Sequence, residues 1–193
     1  MNSVNLGILI ALYTGVRIGE LCALKFEDIS MEDKILYVNK TMQRIQNFSE
    51  EVIRKTNIVI STPKSRNSVR EVPLPDFIIE IITKQNLYNE NAYLLTGESK
   101  HFIEPRTLEN KFKKIADLCN IKDVTFHMLR HTFATNCVEA GVEIKSLSEI
   151  LGHSSVNITL NRYVHSSMEM KRLNMEKFYE FSSLSPSKFQ SEM

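Results

Sequence analysis

The densest group of chemically capable side chains in this 193-residue chain is His127-Met128-Leu129-Arg130-His131-Thr132-Phe133-Ala134-Thr135. On a helix, residues 127, 130 and 131 share one face, and Leu129 and Phe133 share the adjoining apolar one. An imidazole and a guanidinium then project together from a buried support, which suits an anion that also needs a proton moved. The spacing of His127 and His131 is also that of a zinc-ligand pair, but Met128 stands where the metalloprotease pattern requires glutamate. A hydrogen-bonded core histidine is the open alternative for His131. Further on, in Leu151-Gly152-His153, Gly152 is placed to end a helix and leave His153 at a turn, within reach of a ligand. Tyr163 follows ten residues later. A helical tyrosine is ordinarily half-buried packing, so Tyr163 acquires meaning only in company.

Two further places are basic. Arg17 follows Gly15 in Thr14-Gly15-Val16-Arg17-Ile18-Gly19-Glu20, where a guanidinium beside a tight turn and a helix start suits phosphate. The plainer alternative is a surface arginine paired with Glu20. Between Arg54 and Arg70 there are five basic residues (Arg54, Lys55, Lys64, Arg66 and Arg70) and no acidic one. Such a segment can lie along a DNA groove with Lys64 near a backbone phosphate, or can simply be a sheet edge guarded by charge.

The elements that must position these groups are mostly helical. Leu6, Leu9, Ile10 and Tyr13 mark one face of an opening helix that breaks at Gly15, and Ile18, Leu21, Cys22 and Leu24 mark a second stretch ending near Asp28. Segments rich in β-branched residues follow at Ile35–Val38, Asn57–Ser61 and Val69–Leu74. They predict a small antiparallel sheet whose last two strands form a hairpin with residues 63–68 in its loop. Helical pattern returns at Asp76–Gln85, then from Pro105 as a first helical residue through Leu118. Thr125 is expected to cap a helix running to Val138, before Gly141. Lys145–Leu151 ends at Gly152, Ser155 caps a helix through Tyr163, and Met168–Tyr179 is the last. The fold class expected is mainly α with a small antiparallel β-sheet, as one domain over residues 1–181 with a mobile tail over 182–193.

Bulk properties leave this picture open without advertising it. The net charge is +1, from 24 basic and 23 acidic residues, so a nucleic-acid partner must be inferred from local charge. The three cysteines, Cys22, Cys119 and Cys137, fit neither a zinc ribbon nor a disulfide framework, which points to a reducing cytoplasm. The apolar run Leu6–Tyr13 is too short to span a bilayer.

Taken in order, Arg17, Lys64, His127-x-x-Arg130, Leu151-Gly152-His153 and Tyr163 resemble the active-site set of the tyrosine recombinases. This is the lambda-integrase-like family, and the likeness is nearest to the integrases of phages and conjugative transposons. The resemblance runs from about Leu6 to His165, and the run Leu129–Thr135 is its most specific part. It implies the catalytic-domain fold of DNA breaking-rejoining enzymes and a reaction in which Tyr163 attacks a DNA phosphodiester, giving a 3′-phosphotyrosyl link and a free 5′ hydroxyl. Arg17 and Arg130 would hold the non-bridging oxygens, with His153 adding a hydrogen bond to them; His127 would serve as acid/base and Lys64 would protonate the departing 5′ oxygen. No metal, ATP or other cofactor is implied, because the covalent link preserves the energy of the phosphodiester. The implied partners are double-stranded DNA, a Holliday junction and, on DNA, three further copies of the chain in a homotetramer. Without DNA the chain would be a monomer or weak oligomer, away from membranes and at the bacterial nucleoid. Family members usually carry an N-terminal DNA-binding domain that completes a clamp. It is expected to be missing here, with the start of the catalytic domain trimmed.

Two other functions fit part of the pattern. Glu143–Leu151, the turn at Gly152-His153 and Ser155–Arg162 read as a helix-turn-helix that binds DNA without cutting it, but leave Arg17, Lys64 and His127-x-x-Arg130 unused. A zinc hydrolase using His127, His131 and His153 is the third.

Overall fold

The computed structural model describes residues 3–46, 56–63, 66–84, 89–163 and 168–182. Apolar residues recur on more than one side of the opening segment, and it folds as a buried helix, α1 (Ser3–Thr14), with Leu6, Ile10 and Ala11 shut off from solvent. Tyr13, expected on the buried face, is instead exposed and sets its ring edge-on against Phe77, with centroids 4.7 Å apart. Gly15 closes α1 with φ +64, and a Cβ there would come within 2.6 Å of Phe133 and 2.8 Å of Leu151. Val16 and the short helix α2 (Ile18–Ala23) follow, with Leu21, Cys22 and Ala23 in the same core.

The β-rich region departs from the expected hairpin. β1 (Ile29–Ser30), β2 (Ile35–Val38) and β5 (Arg70–Pro73) form one antiparallel sheet in the order β1-β2-β5, with Leu36 opposite Val72 and Val38 opposite Arg70. β3 (Thr41–Gln46) and β4 (Thr56–Ser61) form a separate two-stranded ribbon, Thr41 opposite Ser61 and Gln46 opposite Thr56. The strand at Asn57–Ser61 thus pairs with β3, and the one at Val69–Leu74 with β2. β3 escaped notice because Gln43, Arg44, Ile45 and Gln46 are all exposed, so the strand carries no alternation. Only Met42 is deeply buried, against α2. An ion pair between Arg44 and Glu104 (2.5 Å) ties the ribbon to the start of α4.

The remaining helices largely follow the sequence: α3 (Asp76–Thr83), α4 (Pro105–Leu118), α5 (His127–Glu139), α6 (Ile144–Leu151), α7 (Val156–Tyr163) and α8 (Met168–Phe181). Pro105 occupies the first turn of α4 as expected. Ser155 caps α7 by accepting the Asn157 backbone N–H at 3.2 Å. Thr125 does not cap α5. Phe126 stands at that boundary in helical conformation, and its N–H is taken by the Glu109 carboxylate of α4 at 3.3 Å. The Phe126 ring, nearly inaccessible, packs edge-on to Phe112, so a tertiary contact does the work assigned to a local cap. α1 packs on α5 and α4, and α6 packs on α5, α7 and β5. Among the described residues no helix is long and apolar enough to cross a membrane. The tail expected from 182 onward lies, beyond Ser182, outside the described residues.

Gly15→Ala should lower the unfolding free energy by about 2–5 kcal/mol. A left-handed backbone costs a Cβ-bearing residue about 1–2 kcal/mol and overpacking against Phe133 and Leu151 about 1–3 more. Denaturant melts of the two proteins check this, and matching midpoints would contradict the packing described for that turn.

Candidate active site

The C-terminal end of α6 organises the site. Its last carbonyls lack helical partners, and three consecutive ones each receive a guanidinium from a different part of the chain. Arg70 Nε donates to Ile150 O at 2.5 Å, Arg130 Nη2 to Leu151 O at 2.6 Å and Arg17 Nη2 to Gly152 O at 3.1 Å. Positive charge at a helix C-terminus is favourable in itself. Gly152 then takes φ +66, where a Cβ would meet Asn67 O at 2.9 Å and Arg70 at 3.0 Å, and the chain turns to present His153.

Arg17 reaches this place because α1 and α2 meet at Gly15. It sits in extended conformation at the start of α2, its N–H on Glu20 Oε2 (2.8 Å) and its Nη1 on Glu20 Oε1 (2.7 Å). Its side chain keeps 38% exposure, so the guanidinium still faces outward. Arg130, on α5, is 3% exposed and also donates from Nη1 to Gly15 O at 2.7 Å, pinning the turn that carries Arg17. Burial, followed by the charges of Arg17 and Arg70, weakens the hold of Arg130 on its proton, yet guanidinium is basic enough to stay charged at neutral pH.

His153 pairs through Nδ1 with the buried Thr159 hydroxyl of α7 at 2.8 Å, which leaves Nε2 for a ligand. Burial, then the positive charges of Arg130, Arg17, Arg162 and Arg70, push its pKa down to about 4, so it is a neutral imidazole at pH 7. On α5 the rings of His127 and His131 meet edge to face with centroids 4.5 Å apart, and His131 Nδ1 lies 2.8 Å from the Tyr163 hydroxyl. Both histidines are held below the ordinary value, His127 by burial and then by the His131 and Arg130 charges, His131 by burial and then by Arg162 and Arg130. Burial raises the Tyr163 pKa, an effect that Arg130 and Arg162 only partly offset. In this state the phenol keeps its proton, and a neutral His131 beside it is a natural acceptor.

Of the six residues singled out from the sequence, Arg17, Arg130 and His153 thus surround one helix end. Tyr163 joins them through α7, within electrostatic reach of Arg130, and His127 adjoins Tyr163 through His131. Lys64 lies outside the described residues. Asn67, three residues on, is described, and donates through Nδ2 to His153 O (3.2 Å) and Ser154 O (3.4 Å). His131 is partly buried, and its hydrogen-bond partner is the Tyr163 hydroxyl. Among the described residues no three His, Cys, Asp or Glu side chains are placed to hold a metal ion. Glu20 and Arg70, both nearly inaccessible, were missed as parts of the site. The available signal was the strand alternation, which puts Arg70 on the same face as the buried Val72.

Comparison with known proteins gives this arrangement its context. Residues 3–170 match the phage integrase family model. A tyrosine recombinase XerC-like protein of Caldanaerobacter subterraneus subsp. tengcongensis is 35% identical over 172 residues, covering 81% of this chain and 44% of the relative. The transposase from transposon Tn916 of Enterococcus faecalis is 31% identical over 199 residues, covering 90% of this chain and 46% of the relative. The chain therefore spans somewhat less than half the length of these relatives. Among solved structures, the Tn1549 transposon integrase in complex with circular intermediate DNA superposes with a TM-score of 0.72 at 26% identity, over 90% of this chain and 59% of that one. With a family match over most of its length and the guanidinium-lined helix end built as described, the chain belongs to the phage integrase family of tyrosine recombinases.

Proposed function

We propose that this chain is the catalytic part of a site-specific DNA recombinase that cuts and rejoins strands through a covalent bond to Tyr163. The observation that carries this is the gathering of Arg17, Arg130 and His153 at the end of α6, with the Tyr163 hydroxyl brought alongside on α7. A phosphodiester is anionic and resists a nucleophile until its charge is neutralised. Arg17 and Arg130 supply that neutralisation with planar donors that remain charged, and His153 adds Nε2. The Tyr163 oxygen attacks phosphorus and its proton passes to the histidine pair, His131 touching the hydroxyl and His127 next to it. The bond to the 5′ oxygen breaks, and Lys64 delivers a proton there. The 3′-phosphotyrosyl bond keeps the energy of the diester, so attack by a 5′ hydroxyl from a partner strand reseals DNA without ATP. Double-stranded DNA is the substrate, and strand exchange between two duplexes through a Holliday junction calls for four copies of the chain. α8, with Met175, Phe178 and Phe181 exposed, is suited to dock on a neighbouring copy. Residues 1–181 are the catalytic domain in this account, and the work is done at the nucleoid.

The decisive experiment offers the chain a nicked suicide DNA substrate and looks on a denaturing gel for a protein–DNA adduct. The unsubstituted chain should form it, and Tyr163→Phe should bind DNA but form none. An adduct with Tyr163→Phe would move the nucleophile elsewhere, with Tyr179 the next to test. Binding without any adduct from the unsubstituted chain would favour a helix-turn-helix regulator.

Lys64→Ala should lose most cleavage of ordinary DNA and regain it when the bridging 5′ oxygen is replaced by sulfur, since a thiolate leaves without a proton. Arg130→Ala should not be rescued in that way. Failure of sulfur to rescue Lys64→Ala would assign the proton to another donor.

DNA affinity should rise on acidification. Burial, the largest cause of the low His153 pKa, stays in the complex, but a phosphate there offsets the share that comes from the guanidiniums, so binding takes up part of a proton and by linkage the complex tightens as pH falls below the ordinary histidine value. Anisotropy titrations between pH 7 and pH 5 should show binding tighter by roughly two- to five-fold, and His153→Gln should flatten much of that dependence.

A further inference from the structure

Arg70 is the third guanidinium at the end of α6, and nothing in the proposed chemistry uses it. Its side chain is 5% exposed and its charge is committed to a buried carboxylate, Glu20, whereas the two backbone carbonyls that Arg130 holds leave the charge of Arg130 uncompensated. All three of its nitrogens are engaged inside the protein. Nε donates to Ile150 O, Nη1 to Ser68 O at 3.1 Å, and Nη1 and Nη2 form a two-pronged contact with Glu20 Oε1 (3.1 Å) and Oε2 (2.9 Å).

Glu20 is the informative partner. Its carboxylate is 2% exposed, and each oxygen is shared: Oε1 between Arg17 Nη1 and Arg70 Nη1, Oε2 between the Arg17 backbone N–H and Arg70 Nη2. Burial pushes this carboxyl up, but the hydrogen bond and charge of Arg70, followed by those of Arg17, outweigh it and keep it ionised. One negative charge therefore sits between two positive ones. Without Arg70 the buried carboxylate would have only Arg17 to neutralise it, and Arg17 would be drawn inward and its charge spent there.

We propose that Arg70 is a positioning residue for catalysis: by taking the Glu20 carboxylate in a two-pronged contact it leaves the charge of Arg17 available to the scissile phosphate. It also ties β5 to the helix end that presents His153. This rests on the recombinase reading of the site. Lysine cannot reproduce the arrangement, because a single ammonium offers a point charge where the carboxylate and Ile150 O need a planar fork.

The test measures single-turnover adduct formation with suicide substrates of two kinds, an ordinary diester and one with a neutral methylphosphonate at the cleaved position, for the unsubstituted chain, Arg70→Lys, Arg70→Gln and the double variant Arg70→Gln/Glu20→Gln. DNA affinity and circular dichroism are followed in parallel. On the ordinary diester Arg70→Gln should be slowed at least about ten-fold with Kd changed less than about three-fold, and Arg70→Lys should recover only part. On the neutral substrate, where the charge of Arg17 is not needed, the deficit of Arg70→Gln should shrink several-fold. The double variant, which removes the buried carboxylate charge, should be faster than Arg70→Gln alone on the ordinary diester.

A deficit equal on both substrates would reduce Arg70 to a structural role and overturn the proposal, as would Arg70→Gln cleaving at the unsubstituted rate. Should Arg70→Gln fail to fold, the double variant and Arg70→Lys carry the test. Equal ratios of their rates to that of the unsubstituted chain on the two substrates would again overturn the proposal. No adduct from the unsubstituted chain would overturn the recombinase reading itself, and the proposal with it. An adduct formed normally there but insensitive to Arg70 overturns the proposal alone.

Discussion

The candidate site is organised by three backbone carbonyls at the end of α6. A helix terminus left bare in a protein interior is costly, and here the cost is met by Arg70, Arg130 and Arg17 on Ile150, Leu151 and Gly152 in turn. The same three contacts fasten β5, α5 and the α1–α2 junction to α6. A charge-assisted hydrogen bond of this kind is worth about 1.5–3 kcal/mol, so the cluster is as much a structural joint as a site. The charges of Arg70 and Arg130 are kept from solvent by the fold while Arg17 stays partly exposed, and one buried carboxylate, Glu20, balances them only in part. Such a cluster is short of negative charge, and a phosphate is a natural way to complete it.

The histidines around this cluster rest in the opposite electrostatic condition. His153, His127 and His131 are all driven toward the neutral form by burial and by the guanidiniums beside them, and Tyr163 is held in its protonated form. The resting site thus has permanent cations for binding and uncharged imidazoles for moving protons. An incoming phosphate changes both at once, since its charge relieves the repulsion felt by each imidazole. In the proposed reaction, readiness is in this sense supplied by the phosphate itself.

How much of this was legible from the sequence divides along a physical line. The settings of Arg17, Arg130, His153 and Tyr163 were readable because they are local, a glycine turn, one helix face, a glycine helix end and a capped helix, but Arg17 and Tyr163 were singled out only by the family resemblance that joins them to the others. The helices from Pro105 to Phe181 were readable for the same reason, their apolar spacing being written within each segment. What escaped depends on partners distant in the chain. The Glu20–Arg70 pair joins residues fifty positions apart, the ribbon β3–β4 has almost no buried face to pattern it, and Phe126 is capped by Glu109 of another helix where Thr125 looked sufficient. His131 could be placed on the correct face but not given its partner, since only the docking of α7 brings Tyr163 to it.

The arginine joint also has a bearing on how the chain acquires its chemistry as it folds. Arg17 meets Gly152 across 135 positions, Arg130 meets Gly15 across 115, and Arg70 meets Ile150 across 80. Contacts so remote in sequence close late, after the loop-closure entropy of most of the polypeptide has been spent. A growing chain on the ribosome that has not yet released α6 holds its guanidiniums unassembled and its tyrosine unmade. The cluster of guanidiniums and the tyrosine beside it therefore arrive with the completed tertiary structure, and a partly synthesised or partly unfolded copy does not hold them together.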